Sequence, residues 1–304
     1  MPLAPDELQG RLKGLFAFPV SPFTSDGEVD LGRYHQLLQA ILSGQPQALF
    51  ACGGTGEFFS LNLPEYHALI AAAVDEAQGA VPVIAGTGYG TRLAIEFARA
   101  AEEAGADGVL VLPPYLLQSE QEGLFQHYRA IAGATRLGVI IYQRDNAIFS
   151  PHTAARLAEI PNIIGLKDGY GDMERLGRIQ LAVGNEFCLL NGMPTAELSA
   201  LAFGGLGIYA YSSAVFNFVP EISRRFYKAL TELNSKLVHE YLETFYRPLA
   251  ELRDRKRGYA VSLIKAGVGL RSTPVGPARP PLVNPSEGEI QELKAIIEQG
   301  LRIL

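Results

Sequence analysis

The sequence predicts an α/β protein, a closed (β/α)8 barrel carrying a C-terminal helical extension. Three observations lead there. Short apolar runs alternate with longer stretches whose apolar residues recur at helical spacing, the pattern of parallel strands joined by crossover helices. Eight such units fit into residues 1–232, a number that closes a sheet on itself. The 304 residues suit a barrel of about 250 residues plus an addition.

The units follow in order. Residues 14–20 form the first apolar run, closing near Pro19 and Pro22, and 31–42 have helical spacing. The second strand is 48–52, and its helix, 64–77, opens on Pro64 with Glu65 behind it. Strand 81–85 and helix 91–104 come next, then strand 108–112, stopped by Pro113-Pro114, and helix 120–132. Strand 137–142 leads to a short helix at 152–159 after Pro151. Strand 162–167 leads to helix 172–182, strand 187–190 to helix 194–202, and strand 207–211 to helix 220–230. Residues 233–304 read as added helices packed on the barrel, interrupted by a proline-rich connection at 273–285.

Composition narrows the function. Hydrophobic residues are 48% and charged residues 19%, an ordinary globular balance. The net charge of −6 argues against general nucleic-acid affinity, which needs clustered cations. The one dense basic run, Arg253-Asp254-Arg255-Lys256-Arg257, reads as a solvated helix face. Cys52 and Cys188 follow apolar residues on expected strands and read as buried free thiols. With scattered histidines and no CxxC or HExxH, no metal site is expected. No apolar stretch reaches the length of a membrane span. Residues 1–10 lack the charged-then-apolar pattern of a signal peptide, so a cytoplasmic location is expected.

In such barrels the chemistry sits where the strands end. Strand six runs Ile-Ile-Gly-Leu and stops at Lys167. A lysine held at a barrel mouth can lose its hydration and its proton and become a nucleophile toward carbonyl carbon. The plainer alternative is a solvated lysine at a strand end. Tyr142 closes the preceding apolar run in the same way, 25 positions earlier. Adjacent strands lie about 4.8 Å apart, so both side chains can face one pocket, where the phenol would move protons. Gly53-Gly54-Thr55-Gly56-Glu57 sits between a strand and a helix. Its glycines let backbone N–H groups converge on a carboxylate or phosphate, or serve only a tight turn. Gly86-Thr87-Gly88-Tyr89-Gly90 lacks the spacing of a dinucleotide fingerprint and reads as a barrel turn, so no cofactor is expected.

Together, Gly53-Gly54-Thr55-Gly56-Glu57, Tyr142 and Gly165-Leu166-Lys167-Asp168 resemble the dihydrodipicolinate synthase / N-acetylneuraminate lyase superfamily over most of the chain. The resemblance implies a Schiff base on Lys167, proton shuttling by Tyr142 and carboxylate binding at Gly54, Thr55 and Gly56. Strand seven puts Gly192 at its own end, and the resemblance adds Tyr115 and Tyr209 of strand eight as pocket residues. Gly54 stands where a hydroxyl residue is common, and Ala147 where relatives that bind a second dicarboxylate have arginine. Arg144 and Asn146 then become candidates for a distal carboxylate and hydroxyls, or merely brace their loop. The forms Gly-Gly-Thr-Gly-Glu-Phe-Phe-Ser, Tyr-Gln-Arg-Asp-Asn-Ala and Leu-Lys-Asp-Gly-Tyr-Gly-Asp look most like the superfamily's decarboxylating dehydratases. These take 5-dehydro-4-deoxyglucarate, a six-carbon keto diacid, to 2,5-dioxopentanoate, CO2 and water. A Schiff-base aldolase or synthase acting on pyruvate or another 2-keto acid, and a keto-acid-binding barrel without turnover, are the alternatives. The resemblance also implies a homo-oligomer, a dimer or tetramer.

Overall fold

The short apolar runs pair in chain order and meet end to end around a ring. In the computed structural model, which describes residues 2–304, eight strands form a closed parallel barrel. They are β1 (Leu15–Ala17), β2 (Leu49–Ala51), β3 (Val83–Thr87), β4 (Gly108–Val111), β5 (Gly138–Gln143), β6 (Ile163–Asp168), β7 (Cys188–Asn191) and β8 (Tyr211–Ser213). β1 pairs with both β2 and β8, so no strand edge is left open. Met1, the first residue of the polar opening stretch, lies outside the described residues.

Each strand leads into a helix: α2 (Leu31–Ser43), α3 (Leu63–Ala77), α4 (Thr91–Glu103), α5 (Gln121–Ala132), α6 (Pro151–Ala158), α7 (Met173–Val183), α8 (Ala196–Gly205) and α9 (Pro220–Thr231). Several starts are fixed by side chains that satisfy the first free amides. Asp30, Ser150 and Asp172 each accept from the N–H three residues on. Asn62 and Glu65 form a reciprocal capping box on α3.

Alternation along the strands separates two cores. Phe16, Phe50, Ile84, Ile140 and Ile164 fill the barrel interior. Ala17, Leu49, Val109, Ile141 and Leu166 face outward and pack under the helices. An additional helix, α1 (Pro5–Arg11), precedes the barrel. Its Leu8, with Leu12 just beyond, joins the interior cluster. Apolar periodicity predicts no element there, although Pro5 opens its first turn and Asp6 and Glu7 follow.

Two further expectations are corrected. The eighth strand begins at Tyr211 rather than at 207. The amides of Gly207 and Ile208 still bond back to Gly204 and Phe203, so the chain is leaving α8 there. The basic run is exposed from Asp254 to Arg257, as expected, but it is not one helix face, because the helix ends at Arg253. Arg253 donates to Thr195, while Arg255 pairs with Glu292 at 2.6 Å and Lys256 with Glu289 at 2.9 Å. Both glutamates belong to α13 (Glu287–Leu301), so the run fastens that helix.

Beyond α9 the chain forms α10 (Ser235–Tyr241), a π-helical turn (Leu242–Tyr246), α11 (Arg247–Arg253), α12 (Tyr259–Arg271) and α13. α12 is the functionally placed member, because its Val261 and Ile264 reach the cavity at the barrel mouth. No helix among the described residues is long and apolar enough to cross a membrane.

Candidate active site

Strand register brings the two central side chains together. Tyr142 on β5 pairs with Lys167 on β6, and Lys167 with Leu190 on β7. A one-residue irregularity helps to aim Lys167. Val139 pairs with Ile163, but Ile140 pairs with Gly165, which leaves Ile164 as an extra residue. Such a bulge shifts the inward-outward alternation by one. Leu166 therefore faces the outer core with Ile141, and Lys167 matches the inward-facing Tyr142.

Lys167 is 5% exposed and Tyr142 6%. The lysine Nζ lies 3.9 Å from the centroid of the Tyr142 ring and 5.2 Å from that of Phe18. Both polar tips converge on the carbonyl of Gly192, just after β7. The Tyr142 hydroxyl donates to it at 2.8 Å and Lys167 Nζ at 3.5 Å. A Cβ at position 192 would stand 2.6 Å from Lys167 Cγ, so this close approach requires glycine.

Burial holds the Lys167 amine below its ordinary value, against the opposing pull of Tyr142. Burial also resists ionisation of the Tyr142 phenol. The adjacent Lys167 and Arg144 cations outweigh it and hold the phenol below its usual range. Arg144 Nη1 donates to the phenol oxygen at 3.4 Å, and its Nε pairs with Asp145 Oδ2 at 2.8 Å. Amine and phenol can thus pass a proton between them, an unprotonated amine standing beside a protonated phenol.

The next pair in the register, Gln143 and Asp168, fixes the strand ends. Gln143 Nε2 donates to Asp168 Oδ1 at 2.7 Å, and its Oε1 accepts the Phe149 amide at 2.9 Å. Asp168 Oδ2 accepts the Gly171 amide at 3.0 Å. Neither Gln143 nor Asp168 was singled out for this task in the sequence.

A cavity of about 450 Å3 opens over the pair, a size typical of small-molecule sites. Its polar wall includes Gly54, Thr55, Tyr142, Arg144, Asp145, Lys167 and Ser212, and its apolar wall includes Phe18, Leu110, Leu112, Val261 and Ile264. Gly192 also lines it. Four expected binding residues do not. Gly56 is buried behind its loop, where a Cβ would meet Cys52 and Pro19, so it is a packing position. Tyr115 is 68% exposed on the loop after β4. Asn146 Nδ2 donates to the Pro114 carbonyl at 3.5 Å and braces two loops together. Tyr209 precedes the true β8, and its ring lies against Gly204 of α8, outside the barrel. Ser212 takes the position expected of Tyr209, a shift that follows from the later strand start.

The wall supplied by α12 had no signal in the sequence, because nothing local says where a C-terminal helix returns. Among the described residues no group of three or more His, Cys, Asp or Glu side chains is arranged to hold a metal ion. Both cysteines are free. Cys52 is buried, whereas Cys188 is half-buried rather than fully covered.

Comparisons with known proteins identify relatives of the sequence and of the fold. Residues 11–300 match the model of the dihydrodipicolinate synthetase family. A protein of Streptomyces griseus subsp. griseus described as a probable 5-dehydro-4-deoxyglucarate dehydratase is 50% identical, covering 98% of this chain and 95% of its own. One of the same description from Bradyrhizobium diazoefficiens is 47% identical, covering 98% and 95%. Among solved structures, dihydrodipicolinate synthase from Bacillus clausii superposes with a TM-score of 0.88 at 27% identity, covering 96% of this chain and 98% of its own. The Oceanobacillus iheyensis synthase gives 0.89 at 25% identity, with 97% and 98% covered.

Proposed function

The chain belongs to the dihydrodipicolinate synthetase family, and from that premise we propose that it is a decarboxylating dehydratase, a lyase converting 5-dehydro-4-deoxyglucarate to 2,5-dioxopentanoate, CO2 and water. The relatives of that description, near half identical over almost the whole chain, support the substrate. The observation that carries the mechanism is the desolvated Lys167 amine, packed on the Tyr142 ring at the mouth of the barrel.

In this reading Lys167 attacks the C5 ketone and water leaves, giving an iminium that draws electrons from the carbon chain. Loss of a C4 proton forms an enamine. The enamine expels the C3 hydroxyl, protonated by Tyr142 or by a water that Tyr142 holds, and the product is a conjugated iminium. The C1–C2 bond then breaks. C1 departs as CO2, and its electron pair passes through C2, C3 and C4 into the same nitrogen. Protons return to C3 and C4, the C2 hydroxyl becomes the aldehyde, and hydrolysis frees Lys167. Atoms balance without a redox partner.

Gly54 and Thr55 suit the carboxylate beside the ketone, and Arg144 suits the distal end through charge. The barrel, residues 1–232, supplies the reacting groups, and the extension, residues 233–304, covers them. The same reading makes the enzyme a cytoplasmic homo-oligomer, a dimer or tetramer.

Borohydride added during turnover of the glucarate-derived keto acid tests the proposal. A covalent adduct on Lys167 and stoichiometric CO2 are expected, with Lys167→Ala losing both. Release of pyruvate without CO2 would indicate an aldolase instead. Full turnover by Lys167→Ala would remove the mechanism altogether.

A further inference from the structure

The loop that presents Gly54 and Thr55 to the cavity is held from behind by charges buried in another part of the chain. Glu57 adopts a left-handed backbone (φ 56°) and is 0% exposed. Its Oε1 lies 2.5 Å from Nζ of Lys265, a residue of α12 whose side chain is 2% exposed. Its Oε2 accepts the backbone N–H of Arg279 at 3.0 Å. Lys265 also donates to the Pro277 carbonyl at 3.0 Å and lies 4.1 Å over the Phe23 ring. The Arg279 side chain pairs with Glu65 and donates to the Ser60 carbonyl at 2.6 Å, in the helical turn Phe58–Ser60 that follows the loop.

A buried ion pair is weak evidence of stabilisation, because apolar residues of the same volume often serve as well. What it does impose is position, since neither charge tolerates losing the other. The position imposed here is that of the cavity's glycine-threonine loop. α12 contributes twice, because Ile264, the residue before Lys265, lines the same cavity.

We propose that Lys265 is a positioning residue for the keto acid's carboxylate. Acting through Glu57, it holds the 53–57 loop so that the Thr55 hydroxyl and the neighbouring N–H groups face the cavity. The extension is thereby part of the substrate site. This inference rests on the reading of Gly54 and Thr55 as carboxylate ligands and deepens it.

The test compares two probes trapped on Lys167 by borohydride in the full-length protein: pyruvate, which has a carboxylate, and hydroxyacetone, which has none. In Lys265→Met and in Glu57→Gln, half-saturation by pyruvate is expected to rise at least about tenfold, as small misplacements of a binding group do. Trapping of hydroxyacetone should stay within about twofold, since distant independent effects leave it alone. The double variant E57Q/K265M, which leaves no orphaned charge, should regain thermal stability over Lys265→Met yet keep the raised half-saturation. Equal losses with both probes would mean general damage and overturn the proposal. Hydrogen exchange supplies a readout independent of chemistry. Amides of residues 53–60 should exchange faster in Lys265→Met, and unchanged exchange would overturn the brace whatever the enzyme's reaction. Faster exchange in a protein whose wild type traps no keto acid would leave the brace standing and refute the dehydratase reading.

Discussion

Lys167 is subject to opposed influences, and their signs can be tested separately. Burial depresses its pKa, Tyr142 raises it, and Arg144 lowers it further. Only the unprotonated amine attacks a carbonyl, so adduct formation must fall as pH drops through the lysine's pKa. Removing the phenol in Tyr142→Phe deletes an influence that raises that pKa. The acid limb should then move to lower pH, while turnover falls about 10²–10⁴-fold for want of the proton carrier. Removing the cation in Arg144→Met deletes an influence that lowers it, and the limb should move to higher pH. Single-turnover borohydride trapping across pH measures both, and shifts in the same direction would refute the assignment. At this scale the sequence was legible where a polar residue ends an apolar run, as Lys167 and Tyr142 do. Tyr115, Asn146 and Tyr209 were not legible, because loop side chains are aimed by contacts that neighbouring residues do not encode. Glu57 and Lys265, 208 positions apart, have no local signature beyond a charge among apolar neighbours.

Strand and helix existence was readable from periodicity, while aim was not. The run Ile163-Ile164-Gly165-Leu166 is apolar throughout, so either register would bury it, and the extra residue at Ile164 leaves no mark in the pattern. That bulge nevertheless sets the direction of Lys167. Gly165 makes room for it, since a Cβ there would come within 2.7 Å of the Cys188 carbonyl on β7. Gly165→Ala should therefore push β6 away from β7. Overpacking of this kind costs about 1–3 kcal/mol of stability, and the displaced strand should also slow adduct formation on Lys167. Denaturant melts and trapping rates should fall together. A Gly165→Ala enzyme with ordinary trapping would mean that the β6–β7 contact does not set the lysine's direction. The eighth strand shows the converse problem. Residues 207–211 are apolar enough for a strand, yet Ile208 packs with Leu176 and Phe203 beneath the helices, so helix packing overrode local propensity.

The molecule as a whole is a barrel filled and plugged below, with its reactive groups in a cavity above. α1 places Leu8 in the interior cluster with Phe16 and Ile140, and β5 carries that cluster upward from Ile140 to Tyr142. α12 supplies part of the cavity wall at the opposite mouth. This polarity separates stability from chemistry, because support at one end need not disturb geometry at the other. Leu8 is 0% exposed, and Leu8→Ala should leave a cavity costing about 2–5 kcal/mol. That loss should lower the denaturation midpoint with an unchanged dependence on denaturant. Because distant sites without shared partners act independently, kcat/KM measured at a temperature where the variant remains folded should stay within about twofold of wild type. A Leu8→Ala protein that keeps its stability would show that α1 is no plug. One that loses stability and kcat/KM in parallel would show that the interior cluster transmits strain from Leu8 to Tyr142, and that the two ends of the barrel are mechanically one.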